Sequence, residues 1–127
     1  MTDWVLDASA VLALMRAEPG AEVVVEALPR AAIAAVNAAE VVARLVREGV
    51  APDVARLAVI NLGCPILAID AELGLRAGEL AAAADARRLS LGDRCCLALA
   101  EREGAPALTA DPSWADLGLP VAVTLIR

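Results

Sequence analysis

The chain has 127 residues, a length that suits one domain spanning 1–127 whose core needs neither disulfides nor a structural metal. Hydrophobic residues make up 60% of it, but alanine dominates, Phe and Tyr are absent and Trp4 and Trp114 are the only aromatics, so a core of small aliphatic groups is expected, one that gains by burying more surface in an oligomer. The net charge is −6, with no histidine and with arginine as the only basic residue, which excludes Ser-His-Asp and Cys-His nucleophile systems, imidazole-rich zinc sites, the P-loop lysine and Schiff-base chemistry.

Trp4 to Asp7 reads as a short buried strand running into a helix over Ala8 to Met15, with Pro19-Gly20 as the break. Ala21 to Leu28 is a second short helix. Ala31 to Val36 is a second strand, and Asn37 opens a helix to Glu48 that Gly49 closes. Pro52 starts another helix, which ends at Gly63. Pro65 to Ile69 is the third strand, followed by a helix from Ala71 to about Arg87 and another from Ser90 through Glu103, stopped by Gly104. Ala107 to Thr109 and Val121 to Ile126 are the last two strands. Strands alternating with helices imply a parallel sheet covered on both faces, with ligands bound beyond the carboxyl ends of its strands where the strand order reverses.

No segment reads as membrane-spanning: Leu57 to Ile69, the longest uncharged stretch, is too short and is broken by Gly63 and Pro65. The first residues, Met1-Thr2-Asp3-Trp4, lack the basic start of a signal peptide. Cys64, Cys95 and Cys96 form no C-x-x-C and read as small core residues, so a soluble cytoplasmic protein is expected. The acidic balance argues against a general nucleic-acid binder unless bound divalent ions cancel the acids locally or arginines gather on one face.

Five acids fall where a strand is expected to end or a helix to begin: Asp7, Glu40, Asp70, Asp93 and Asp111. Each has a structural explanation when taken alone. Asn37-Ala-Ala-Glu40 and Ser90-Leu-Gly-Asp93 fit capping boxes, Asp111-Pro112 fits an N-cap with proline at the first helical position, and Asp70 can cap the helix from Ala71. Asp7, however, ends an apolar strand, and Asp93 shares a helical face with Cys96, Leu97 and Ala100. Buried carboxylates need positive partners, and a metal ion supplies one without a basic side chain. Arg44 and Arg47 follow Glu40 on its helical face, either as a solvated salt bridge or as a phosphate-gripping edge. Arg87 and Arg88 read as surface charge.

Four segments together carry a resemblance: V-L-D-A-S-A at Val5 to Ala10, N-A-A-E at Asn37 to Glu40, L-S-L-G-D-R-C-C-L-A-L-A at Leu89 to Ala100 and L-T-A-D at Leu108 to Asp111. In this order they resemble the motifs of the PIN domain, above all its bacterial VapC-like toxin branch, and the likeness runs from Val5 to Leu125. It implies a three-layer α/β/α sandwich around a five-stranded parallel sheet of order 3-2-1-4-5. It also implies that Asp7, Glu40, Asp93 and Asp111 are the catalytic, metal-binding acids of a pocket for magnesium or manganese, with Ser9 and Thr109 as polar neighbours. Asp70 has no such role, and Asp116 is either a supplementary acid or a cap for the residues after it. The activity implied is metal-dependent cleavage of single-stranded RNA, leaving a 5′-phosphate and a 3′-hydroxyl, by the toxin of a toxin–antitoxin pair. A homodimer and a cognate antitoxin are the expected partners, the latter laid beside the apolar faces of the helices from Asn37 and from Pro52.

Other functions stay open on the sequence. A free-standing RNA-processing PIN nuclease would lack the antitoxin, and an inactive PIN-like module would only bind. A haloacid-dehalogenase-like phosphatase is disfavoured, because Ser9 stands where its second Asp would fall and the chain has no lysine.

Overall fold

A computed structural model describes residues 2–84 and 89–127. Strand β1 (Trp4–Leu6) leads into α1 (Ala8–Met15), followed by α2 (Ala21–Ala27), a 3-10 turn (Leu28–Arg30) and β2 (Ala31–Ala34). Next come α3 (Ala35–Arg47), α4 (Pro52–Ile60), β3 (Ile66–Leu67), α5 (Ala71–Glu79) and α6 (Ala81–Ala84). After these lie α7 (Leu91–Glu103), β4 (Ala107–Thr109), a second 3-10 turn (Pro112–Trp114) and β5 (Val123–Leu125). The five strands form one parallel sheet in the order β3-β2-β1-β4-β5, as the resemblance implied.

Alternation along the strands builds the layers. Val5, Ala34 and Ala107 join a core with residues of α5 and α7, whereas Leu6, Ile33 and Leu108 join a separate one with residues of α1, α2, α3 and α4. Helix α7 is buried on nearly all sides, with Cys95 through Ala100 all inaccessible, and it packs against β1, β2 and β4 with α3 and α5 beside it. Small side chains at Cys95, Ala98 and Ala100 let a helix sit that close to the sheet, while Leu97 and Leu99 each contribute on the order of 2 kcal/mol of apolar burial. The cysteines are free and buried, as expected of core residues. Gly20 has φ +95°, and a Cβ there would come within 2.6 Å of the Ile126 carbonyl oxygen, so only glycine lets the start of α2 meet the C-terminal strand.

Several boundaries differ from the sequence reading. Strand β2 stops at Ala34 and α3 begins at Ala35, two residues before Asn37, because an alanine-rich run is a better helix than strand. Asn37 therefore lies inside the helix, and the capping box expected of it does not form. The helix expected from Ala71 to Arg87 breaks at Leu80, which caps α5 before α6. Arg87 and Arg88, with the end of that helix, lie outside the described residues. Strands β3 and β5 are shorter than expected, at two and three residues. Among the described residues no helix is long and apolar enough to cross a membrane.

Candidate active site

In the strand order β3-β2-β1-β4-β5 the chain turns one way from β1 and the other way to β4, so the crevice opens beyond the carboxyl ends of these two central strands. Asp7 follows β1 directly, Asp111 lies two residues past β4, and Glu40 stands in the second turn of the helix after β2. Asp93 follows no strand, which is why sequence order leaves it unplaced. Since α7 feeds β4 in a parallel sheet, its N-terminal end must return to the carboxyl edge, and this carries Asp93 there. A pocket of about 240 Å³ is lined by Asp7, Glu40, Asp93 and Asp111 together with Ser9, Arg44 and Arg47. All the residues expected at the site thus meet except Thr109, which touches it from beneath through Asp7.

The hydrogen bonds pin each acid. Ser9 Oγ donates to Asp7 Oδ2 at 2.6 Å and Thr109 Oγ1 donates to the same oxygen at 2.8 Å. The Ala110 and Asp111 amides donate in turn to Ser9 Oγ (2.9 Å) and Thr109 Oγ1 (3.1 Å), so the end of β4 is tied to the end of β1 through Asp7. Asn37 Nδ2 donates to Glu40 Oε1 at 2.8 Å. The Ser90 amide donates to Asp93 Oδ2 at 3.0 Å while the Asp93 amide donates to Ser90 Oγ at 3.1 Å, forming the expected capping box. Asp111 Oδ1 accepts from the Ser113 amide at 2.9 Å. For Asp93 and Asp111, capping and lining the pocket therefore coexist: one oxygen holds the helix end, and no described residue donates to the other.

Two of the acids, Asp7 and Glu40, are held above the ordinary carboxylate range, first by burial and then by neighbouring charge. Burial, with 4% of Asp7 exposed, pushes its carboxyl up from 3.8 to about 6; hydrogen bonds from Ser9 and Thr109 oppose this and the charges of Asp93 and Glu40 add to it. Glu40 is raised by burial, against the Asn37 hydrogen bond and with help from Asp93. The same field reaches Cys96, whose thiol is pushed well above its usual value by burial and then by Asp7, Asp93 and Glu40. No described residue forms an ion pair with any of the four acids; of the two readings of Arg44, the salt bridge to Glu40 does not form, and Arg47 Nε donates to the Ala43 carbonyl. Two other acids stand apart. Asp70 caps α5 by accepting from the Leu73 amide at 2.9 Å, and Asp116 lines a separate cavity of about 230 Å³ beside Trp114 and Val121.

Among the described residues no three Asp, Glu, His or Cys side chains are close enough to hold a metal ion directly. The donor set nevertheless fits one kind of ion. Four carboxylates face one small pocket, each with an oxygen that no described protein group occupies and none with a cationic partner among the described residues. Such hard oxygen donors suit a divalent cation that keeps much of its water and takes few direct protein ligands, as magnesium does.

Two residues that the sequence reading gave no role at the site also enter it, although both lie inside the motif segments. Asn37 is wholly buried beside Glu40, and a Cβ on Gly92 would lie 2.6 Å from Glu40 Oε2. Glycine in the first turn of a helix is a poor helix former, and that was the available signal.

Fold and pocket together define an α/β/α protein with a carboxylate cluster at its topological switch point. The chain belongs to the PIN domain family, whose family model matches residues 4–119. Solved structures agree on the fold. The DNA-bound VapBC of Salmonella typhimurium is similar at 14% identity and TM-score 0.76, with 100% of both chains covered. A toxin-antitoxin complex from Klebsiella pneumoniae is similar at 21% identity and TM-score 0.76, covering 98% of each chain. A member of the VapBC family of toxin-antitoxin systems from Mycobacterium tuberculosis is similar at 22% identity and TM-score 0.62, covering 100% of this chain and 99% of the other. The comparison with curated proteins found no match.

Proposed function

We propose that the chain is a single PIN domain over residues 1–127 that cleaves single-stranded RNA with a magnesium or manganese ion, as the toxin of a cytoplasmic toxin–antitoxin pair. The observation that carries this reading is the meeting of Asp7, Glu40, Asp93 and Asp111, from four separate elements, in one pocket where none of them forms an ion pair with a described residue, although Arg44 and Arg47 line the same pocket. PIN nucleases generally use divalent metals. When bound, such an ion polarises water, orients the scissile phosphate and offsets charge on the leaving oxygen. Asp7, Asp93 and Asp111 are assigned to holding it, and Glu40 to holding it or orienting the attacking water. Ser9 and Thr109 donate to one Asp7 oxygen and thereby aim the other. The products are a 5′-phosphate and a 3′-hydroxyl.

Purified protein should cleave single-stranded RNA with magnesium or manganese and stop when the ion is chelated. Undiminished cleavage in excess chelator would reject the reading. Arg44 and Arg47 line the pocket without ion pairs to described residues, so their guanidinium groups are available to substrate phosphates. Replacing both with alanine should weaken RNA binding and flatten its salt dependence by a slope of about one for each phosphate that is no longer neutralised. An unchanged slope would leave them as ordinary surface charge.

The partner assignment draws on the toxin–antitoxin neighbours and on an apolar groove of about 820 Å³ between α3 and α4, walled by Ala38, Val42, Val46, Ile60 and Ile66 with Asp53 and Arg56. Of the apolar faces expected there, Val41 is buried in the protein's own core, but Val46, Val54 and Leu57 are exposed, Leu57 at 54%. We assign the groove to an amphipathic segment of the antitoxin and the outer face of α4 to a homodimer. Co-expression with the adjacent small gene, then pull-down and light scattering, checks both; a monomer that captures no such partner would remove the toxin reading and leave the nuclease one.

A further inference from the structure

We infer that Asn37 and Gly92 form a seat that fixes the carboxylate of Glu40 for metal binding, acting on the reaction only through Glu40. This rests on the metal-dependent nuclease reading above.

The seat has a floor and a clamp. Gly92 stands in the first turn of α7, where a Cβ would lie 2.6 Å from Glu40 Oε2 and 2.7 Å from both Cδ and Oε1. Near-equal distances to all three atoms mean that the carboxylate lies flat over the bare α-carbon. Any larger residue would push it off. Asn37 supplies the clamp: its Nδ2 donates to Glu40 Oε1 at 2.8 Å and to the Gly92 carbonyl at 3.0 Å, so one amide group bridges α3 to α7. A flipped amide would set its oxygen against a carboxylate and a carbonyl, which fixes its orientation.

Both residues are poor choices for stability alone. Asn37 is 0% exposed, yet its Oδ1 has no hydrogen-bond partner among the described residues, a state that buried polar groups avoid. Glycine in a helix is inferior to alanine, and the space above Gly92 is filled only by the end of a flexible side chain. The two departures meet on one carboxylate. One oxygen is thereby tied down, and the other is left for the pocket that Asp7, Asp93 and Asp111 line.

The test uses Gly92→Ala, Asn37→Ala and Glu40→Gln, alone and combined, with three readouts: melting temperature in chelator, Mn²⁺ affinity by calorimetry, and kcat and KM for RNA cleavage. Gly92→Ala should melt at or above the wild-type temperature while Mn²⁺ affinity or kcat falls by roughly tenfold to a hundredfold, the usual range for groups that orient a metal ligand. KM for RNA should stay near wild type. In the Glu40→Gln background neither second substitution should cause a further loss of Mn²⁺ affinity or kcat, because the group they act on is already disabled. If Asn37→Ala does not fold, Gly92→Ala carries the test by itself. Wild-type affinity and kcat in Gly92→Ala, or losses that multiply with those of Glu40→Gln, would overturn the seat and leave the nuclease standing. A wild type that binds Mn²⁺ but cleaves no RNA would defeat the nuclease reading, and the affinities would still judge the seat. A wild type that binds no Mn²⁺ would defeat both.

Discussion

Replacing Asp7 with asparagine should abolish metal-dependent cleavage and, in chelator at pH 8, make the protein more stable than the wild type. Burial raises the Asp7 carboxyl to about 6 against an ordinary value of 3.8, so over that interval the folded state holds a proton that the unfolded state has lost. Stability therefore falls as pH rises from the lower value to the upper one, and above it the whole penalty of ionising a buried acid persists. Integrated, this amounts to roughly 3 kcal/mol, an upper bound on what the uncharged amide recovers. Asparagine keeps an oxygen to accept from Ser9 and Thr109. On a chain of this size the gain is on the order of 10 °C in melting temperature. Thermal melts of both proteins in chelator should coincide below pH 4, separate as pH rises from there and reach their full difference above pH 6; a variant that melts lower than wild type at pH 8 contradicts the burial account.

Asp93→Asn should also abolish cleavage, but with a much smaller change in stability, because the helix-terminal charge it loses and the repulsion with Asp7 and Glu40 that it relieves act in opposite directions. Asp93 Oδ2 accepts from the Ser90 amide, and its charge favours the N-terminal end of α7. The amide oxygen keeps the hydrogen bond and loses the charge, which costs about 0.3–1 kcal/mol. Asp70→Asn makes the matching control, since Asp70 also caps a helix and has Arg102 3.6 Å from its other oxygen, but does not line the pocket. It should lose a similar helix-terminal contribution and no activity. Single-turnover cleavage and urea melts of the pair check this. Should Asp70→Asn be inactive, or Asp93→Asn cleave within a few-fold of wild type, the assignment of acids by motif would be misplaced.

Apolar runs and the breaks between them (Asp7, Gly63-Cys64-Pro65, Gly104 with Pro106) made the alternation of strands and helices legible, and with it a parallel sheet; the strand order came only from the resemblance carried by the four motif segments. The sequence could not fix where β2 ends, because Ala31 to Val36 mixes alanines, which favour helix, with Ile33 and Val36, which favour strand, so the tertiary context decides. That uncertainty hid Asn37. A spacing of three places a side chain either across a helix end or along a helix face, and Asn37 and Glu40 do the second. Asp93 was legible as a cap and as part of a motif, but its position needed the handedness and direction of the whole sheet. Gly92 offered only the weak signal of a glycine in a helix, and its role needed the α-carbon to carboxylate approach, a meeting of segments 52 positions apart in sequence.

The rims of the sheet set a limit on how this protein can be bound. Strand β3 at one margin pairs with its neighbour through only two residues, Ile66 and Leu67, and β5 at the other through three. So short a run of open backbone groups offers too little ladder for another chain to lengthen the sheet, and guards an apolar, alanine-rich protein against stacking into fibrils. Recognition by other proteins is thereby left to side chains on helical faces, where specificity is written residue by residue and is open to revision by single substitutions.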